Sequence, residues 1–169
     1  MDKNIGVIGA GSWGTTLADL LAKKGHRVSL WAYEPELVKE MRETRINGLF
    51  LPGINLSPNL DFTNDLAEAV KGREFLLFVV PSQVIRAVIR EAAPQISPSA
   101  YIASASKGIE VGSLLAVSQV FEELLPAPLF QRFTVLSGPS FAREVAQEMP
   151  TAVVAASGDE EASRLVQGV

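Results

Sequence analysis

Apolar residues recur along this chain in two alternating rhythms. Ile5 to Ile8 is a short, unalternating apolar run, the pattern of a strand buried on both faces of a parallel sheet. After a cluster of glycines, Leu17, Leu20, Leu21 and Lys24 follow helical spacing from Trp13 onward, and Gly25 supplies the stop. Arg27 to Trp31 is predicted as a second strand. Glu34-Pro35 then opens a helix to about Glu43, with Leu37, Val38 and Met41 on its inner face. Asn47 to Asn59 holds two glycine or proline turns and no period, and is predicted to be a loop or excursion.

The rhythm then resumes. Asp65 begins a short helix through Val70, ended by Gly72, and Phe75 to Val80 is the most strand-like run in the chain, closed by Pro81. A helix from Gln83 to Ala93, a strand from Tyr101 to Ser104, a helix near Leu114 to Leu124 and a strand from Phe133 to Ser137 follow. Gly138-Pro139-Ser140 turns into a helix over about Phe141 to Glu148, and Thr151 to Ala156 is one more strand. Strands alternating with helices at this spacing predict an α/β fold with a doubly wound, mainly parallel sheet. At the end, Ser157-Gly158-Asp159-Glu160 reads as a capping box opening a helix whose apolar stripe is Ala162, Leu165, Val166 and Val169. That stripe needs a cover, either the chain's own sheet or a further part of a longer protein. The expected division is a main domain over residues 1–157, with 158–169 starting a linker or helix into a second domain.

Bulk properties narrow the partners. A chain of 169 residues is one domain's worth, and 47% hydrophobic with 20% charged residues is ordinary for a globular protein. The net charge of -4, with Lys and Arg scattered, gives no footprint for nucleic acid or an anionic membrane. There is no Cys, which excludes disulfides, thiolate catalysis and Cys-based zinc sites; no metal site is expected. No targeting segment is read, and no run nears the roughly 18 apolar residues needed to span a bilayer. A soluble, cytoplasmic protein is the expectation.

The chemistry concentrates in turns that follow strands. Gly9-Ala10-Gly11-Ser12-Trp13-Gly14 lies between a predicted strand and a predicted helix, the context in which a Gly-x-Gly-x-x-Gly string marks the pyrophosphate loop of a Rossmann dinucleotide site. Gly9 permits the turn, Gly11 lets backbone approach the pyrophosphate, and Gly14 allows close helix packing. The N-terminus of the following helix offers unpaired N–H groups and the positive end of its dipole. At the end of the second strand, Glu34 is placed either to accept bonds from the adenosine ribose or only to favour the next helix, and Tyr33 either stacks on adenine or is an ordinary surface aromatic. NAD and NADP both remain open. Lys107, in the small-residue turn Ser104-Ala105-Ser106-Lys107-Gly108, can present an ammonium to a carbonyl, hydroxyl or phosphate, or be a solvated lysine. Ser137-Gly138-Pro139-Ser140-Phe141 repeats the strand–turn–helix pattern, so that Ser140 either joins a second anion site or caps a helix. His26, the single histidine, is read as structural, and Glu122-Glu123 and Asp159-Glu160-Glu161 as solvated faces.

Taken together, Gly9-Ala10-Gly11-Ser12-Trp13-Gly14-Thr15, Leu30-Trp31, Leu51-Pro52-Gly53, Val79-Val80-Pro81-Ser82, Ser106-Lys107-Gly108-Ile109-Glu110 and Ser137-Gly138-Pro139-Ser140-Phe141-Ala142 resemble the NAD(P)-dependent glycerol-3-phosphate dehydrogenases of the bacterial type. The resemblance implies hydride transfer between the nicotinamide and glycerone phosphate, giving sn-glycerol 3-phosphate for phospholipid synthesis, and a homodimer for the full-length enzyme. It implies Ser12, Trp13 and Ala142 as cofactor contacts, Lys107 as shared between cofactor and substrate, and Gly138 and Ser140 as substrate contacts. Many such enzymes carry Arg or His at the place of Tyr33, near the adenosine phosphate, and Phe50 would line the same pocket. The family's acid–base lysine and its substrate-phosphate group belong to a helical C-terminal domain, which these 169 residues do not contain; no catalytic residue is therefore expected here. Two rivals stand beside this reading: another reductase of the 6-phosphogluconate-dehydrogenase-like group, and a dinucleotide-sensing module without chemistry.

Overall fold

The central runs are apolar on both faces, so helices must cover the sheet from both sides. The computed structural model describes residues 2–169. Its elements run β1 (Asn4–Ile8), α1 (Ser12–Lys23), β2 (Arg27–Trp31), α2 (Pro35–Thr44), β3 (Leu60–Thr63), α3 (Leu66–Val70), β4 (Phe75–Phe78), α4 (Ser82–Ala92), β5 (Tyr101–Ser104), α5 (Val117–Leu124), α6 (Ala127–Phe130), β6 (Phe133–Ser137), α7 (Ala142–Ala146), β7 (Val154–Ser157) and α8 (Glu160–Gly168). Among the described residues, seven strands form one sheet in the order β3-β2-β1-β4-β5-β6-β7. All neighbours are parallel except β6 and β7. The expected doubly wound, mainly parallel sheet is the observed one.

This order decides where a ligand can bind. The chain moves outward from β1 to β2 and β3, then returns to lay β4 on the other side of β1, with Ile8 opposite Phe78. The loops leaving β1 and β4 therefore diverge to opposite faces and open a crevice at the carboxyl ends of the two central strands. One apolar layer, with Leu17, Ala18, Leu30, Leu37, Val38 and Met41, lies under α1 and α2. The other is built around Phe78, Ile85, Ile89 and Phe121, with Phe121 stacked on Phe133 at 4.5 Å between ring centres.

Several boundaries differ from the sequence expectation. Leu60–Thr63, unassigned by pattern, is the edge strand β3; its outer backbone is blunted by α2, since Arg42 donates to Phe62 O at 3.1 and 2.6 Å and Arg45 to Leu60 O at 2.8 Å. The predicted helix from Leu114 begins only at Val117, because Leu114 adopts φ 60 in a tight loop in which its N–H donates to Glu110 O and the Glu110 N–H to Leu115 O. The helix expected over Phe141 to Glu148 is shorter, Glu148 taking φ 62 ahead of Pro150, and the strand expected from Thr151 starts at Val154. The predicted capping box shifts by two residues: Asp159 caps α8, accepting from the Glu161 N–H at 3.0 Å, while the Ser157 hydroxyl donates to Phe133 O. The stripe of α8 is covered by the chain's own sheet, with Leu165, Val166 and Val169 half-buried against the first apolar layer.

Candidate functional site

Where β1 stops at Ile8, the backbone must reverse from strand into helix within four residues. Gly9 does this at φ 117, and a Cβ there would meet Val79 O at 2.4 Å. Gly14, in the first turn of α1, lies so close to the loop that a Cβ would stand 1.9 Å from Gly9 O. Gly11 differs, for a Cβ on it would meet nothing within 4 Å. The fold therefore asks for glycine at the first and third positions and not at the second.

Gly11 is also the N-cap residue of α1, and it supplies no side-chain bond to the helix. The Thr15 N–H donates to Gly11 O, leaving the N–H groups of Ser12, Trp13 and Gly14 without intrahelical partners, and the first turn holds no acid. An uncapped N-terminus with no carboxylate nearby is a seat for an anion.

A groove of about 390 Å³ runs from this seat between the ends of β1, β4 and β5 to the start of α7. Gly11, Ser12, Trp13 and Gly14 form one wall, Val79-Val80-Pro81 another, and Lys107, Ser140 and Ala142 the far end. Lys107 is the single ionisable side chain of the lining; its Nζ donates to Ser140 O at 3.4 Å. Ser140 caps no helix, since Phe141 holds the N-cap position of α7 and the Ser140 hydroxyl lies 3.5 Å from Gly138 O. The far end is tied to α1 by Thr16, whose hydroxyl donates to Ala142 O at 3.1 Å.

Besides Gly9 and Glu34, three residues named from sequence, Gly138, Tyr33 and Phe50, stand outside this lining. Gly138 is held at φ 153 against the backbone of Ala152 and Val153, a packing reason for glycine there. Tyr33 is 78% exposed beyond β2, edge-on to Trp31 at 6.4 Å. Phe50 lies on the excursion, and its N–H donates to Asn47 Oδ1 at 2.9 Å.

Asn47 was not legible as a site residue, yet it connects the excursion to the glycine loop. It is fully buried, and its Nδ2 donates to Ala10 O and to Thr15 Oγ1, both at 2.9 Å. Ser57 fixes the other end of the excursion, its N–H donating at 2.6 Å to Asp19, a buried carboxylate already paired with Lys23. His26 is structural: its Nδ1 accepts from the Lys3 N–H, and partial burial with Lys24 nearby holds its pKa below the ordinary histidine range.

The turn carrying Lys107 is clamped from α4. Gln83 donates to Ile109 O at 2.8 Å and accepts from the Val111 N–H at 3.0 Å, while Arg86 pairs with Glu110 at 2.8 Å and Glu123 at 2.8 Å. Hydrogen bonds from Arg86 and then Ser113 hold the Glu110 carboxyl down to about 2 from 4.5. A depressed carboxylate pKa contributes stability that is present above the unfolded value and fades as pH falls toward the folded one. Glu110→Gln is accordingly expected to loosen residues 107–111 at neutral pH, read as faster amide exchange. The difference from the native chain should shrink as pH falls from about 5 to about 2; a difference independent of pH would show that the Glu110 charge plays no part.

This geometry can be set against known proteins. A sequence model described as NAD-dependent glycerol-3-phosphate dehydrogenase N-terminus matches residues 4–163. The chain belongs to this family. The glycerol-3-phosphate dehydrogenase [NAD(P)+] of Citrifermentans bemidjiense is 62% identical over 99% of this chain and 50% of its own length, and that of Geobacter sulfurreducens 60% identical over the same shares. The crystal structure of the glycerol-3-phosphate dehydrogenase of Coxiella burnetii superposes with a TM-score of 0.88 at 38% identity, covering 98% of this chain and 50% of that one. The chain thus spans about half the length of the curated glycerol-3-phosphate dehydrogenases it matches. The ketopantoate reductase of Ralstonia eutropha, a representative of the rival reductases, reaches a TM-score of 0.59 at 23% identity over 79% of this chain and 40% of its own, a likeness of fold alone.

Proposed function

We propose that this chain is the nicotinamide-dinucleotide-binding part of a longer glycerol-3-phosphate dehydrogenase that interconverts glycerone phosphate and sn-glycerol 3-phosphate, in the cytoplasm, for phospholipid synthesis. The observation that carries the reading is the uncapped N-terminus of α1 beneath Gly11, the one glycine of the loop that packing does not require. A pyrophosphate fits there: it supplies the negative charge the free N–H groups lack, and it needs the approach that a side chain on Gly11 would block. When bound, the nicotinamide donates or accepts the hydride.

The chain's own residues bind and orient. Ser12, Trp13, Gly14 and Ala142 hold the dinucleotide, and Tyr33 and Phe50 serve its adenosine end. Lys107 places a positive charge where a carbonyl or phosphate oxygen enters, beside Ser140 and Gly138 as substrate contacts. Hydride transfer to a carbonyl also needs a proton donor at its oxygen, and Lys107, the one ionisable group of this lining, is given the binding role above, which leaves the lining without a second group for the proton. The acid–base residue is assigned to a second domain, reached through residues 158–169, so this chain alone binds and does not turn over.

Calorimetric titration with NADH and NADPH, followed by absorbance assays with glycerone phosphate, tests both halves. Saturable binding without turnover is expected. No heat with either dinucleotide would overturn the binding role, and turnover at rates usual for complete enzymes would overturn the division of labour.

A further inference from the structure

Beyond β2 the chain runs Ala32-Tyr33-Glu34-Pro35-Glu36 into α2. Glu34 holds the N-cap position of α2, half-buried, yet its side chain makes no capping bond, and among the described residues it has no ion-pair partner. Asp65 and Asp159, at the same position of α3 and α8, do cap their helices. The difference is one methylene, since short side chains reach back to the first-turn N–H groups and glutamate is poorly matched to that reach. Glu34 is thus a half-buried acceptor that serves neither its helix nor a cation.

Its place gives that acceptor a use. It lies at the end of the second strand, about 20 residues past the last glycine of the loop, where a doubly wound sheet presents a group to the adenosine ribose. The segments at the carboxyl ends of β1 to β4, residues 10–14, 32–36, 64–65 and 79–83, carry Glu34, Glu36 and Asp65 and no Lys or Arg. The basic residues of α2 are turned elsewhere or lie farther along: Arg42 and Arg45 donate to carbonyls of the β3 edge, and Lys39 is exposed beyond the first turn. A ribose with free hydroxyls offers donors to a carboxylate. A 2'-phosphate would instead bring between one and two negative charges, by the usual phosphomonoester pKa, to a sheet edge whose segments carry carboxylates and no cation.

We propose that Glu34 makes this chain select NAD(H) over NADP(H), accepting from the ribose hydroxyls and repelling a 2'-phosphate. The assignment rests on the dinucleotide-binding role proposed above. Parallel calorimetric titrations with NADH and NADPH at matched ionic strength test it, on the native chain and on Glu34→Gln and Glu34→Ser, the serine variant preserving a good helix cap. The native chain is expected to bind NADH about tenfold or more tightly than NADPH, and both variants to narrow that ratio, chiefly by weakening NADH binding. Comparable affinities in the native chain, or tighter NADPH, overturn the selection and leave the dinucleotide role standing. A native preference that survives unchanged in both variants overturns the role of Glu34. Absence of binding by either dinucleotide overturns both readings.

Discussion

Gly11→Ser is expected to stabilise the fold slightly and to remove most dinucleotide binding. The backbone at Gly11, φ -62 and ψ 174, is open to any residue, and a Cβ meets no atom within 4 Å. Serine is a better N-cap than glycine by a few tenths of a kcal/mol, because its hydroxyl accepts from the first-turn N–H groups. Those are the groups assigned to the pyrophosphate in the proposed function, and the new side chain would occupy the space that the proposal gives to its approach. Affinity for NADH is expected to fall about 100-fold, or about 2.7 kcal/mol, with a melting temperature equal to or above that of the native chain. Thermal unfolding and NADH titration on the same preparation check it. A variant that melts earlier would place Gly11 among the packing glycines, and one that binds normally would separate α1 from the cofactor.

The largest effect on stability is expected at Gly14. A methyl group there would stand 1.9 Å from Gly9 O and 3.3 Å from the Val79 Cβ, and the first of these is backbone that cannot swing aside. Relief requires α1 to move away from the loop, although α1 is held by Asn47 on Thr15 and by Thr16 on Ala142. Gly14→Ala is expected to cost about 3 kcal/mol or more, at the upper end for overpacking. That corresponds to roughly 10 °C in melting temperature for a domain of this size. Urea and thermal unfolding measure it; a loss below about 1 kcal/mol would mean that the loop yields more easily than its contacts imply. The two substitutions, three residues apart, would thus separate a glycine assigned to the ligand from one that packing requires.

What could be read in advance follows how locally each feature is determined. The glycine loop and the Gly138–Ser140 turn are each a strand, a turn and a helix in immediate succession, and the Lys107 turn directly follows a strand, so residue order exposes them. β3 was missed because Leu60–Thr63 is four residues long and carries an outward Asp61, its boundary fixed by pairing with Val28–Trp31. Leu114 counted as a helical apolar residue, whereas its hydrogen bonds with the Glu110 loop hold it at φ 60 and leave it 73% exposed. Asn47 gave no signal because its partners lie 37 and 32 positions away. The same holds for Gln83 and Arg86, which grip a turn on another strand. The turns that follow strands were legible; the brackets that hold them in position were not.

The placement of β4 beside β1 has a bearing on how this chain folds. Ile5–Ile8 can meet Phe75–Phe78 only after a long loop closes, so the groove between them exists only where that non-local pairing is made. A dinucleotide that touches both the β1 and the β4 loops then acts as a clasp across the seam between the two halves of the sheet. By mass action it raises the free energy of opening in proportion to the logarithm of its concentration over its dissociation constant. That protection falls on openings that part β1 from β4, while fraying of the outer strands β3 and β7, which leaves the seam closed, proceeds as before.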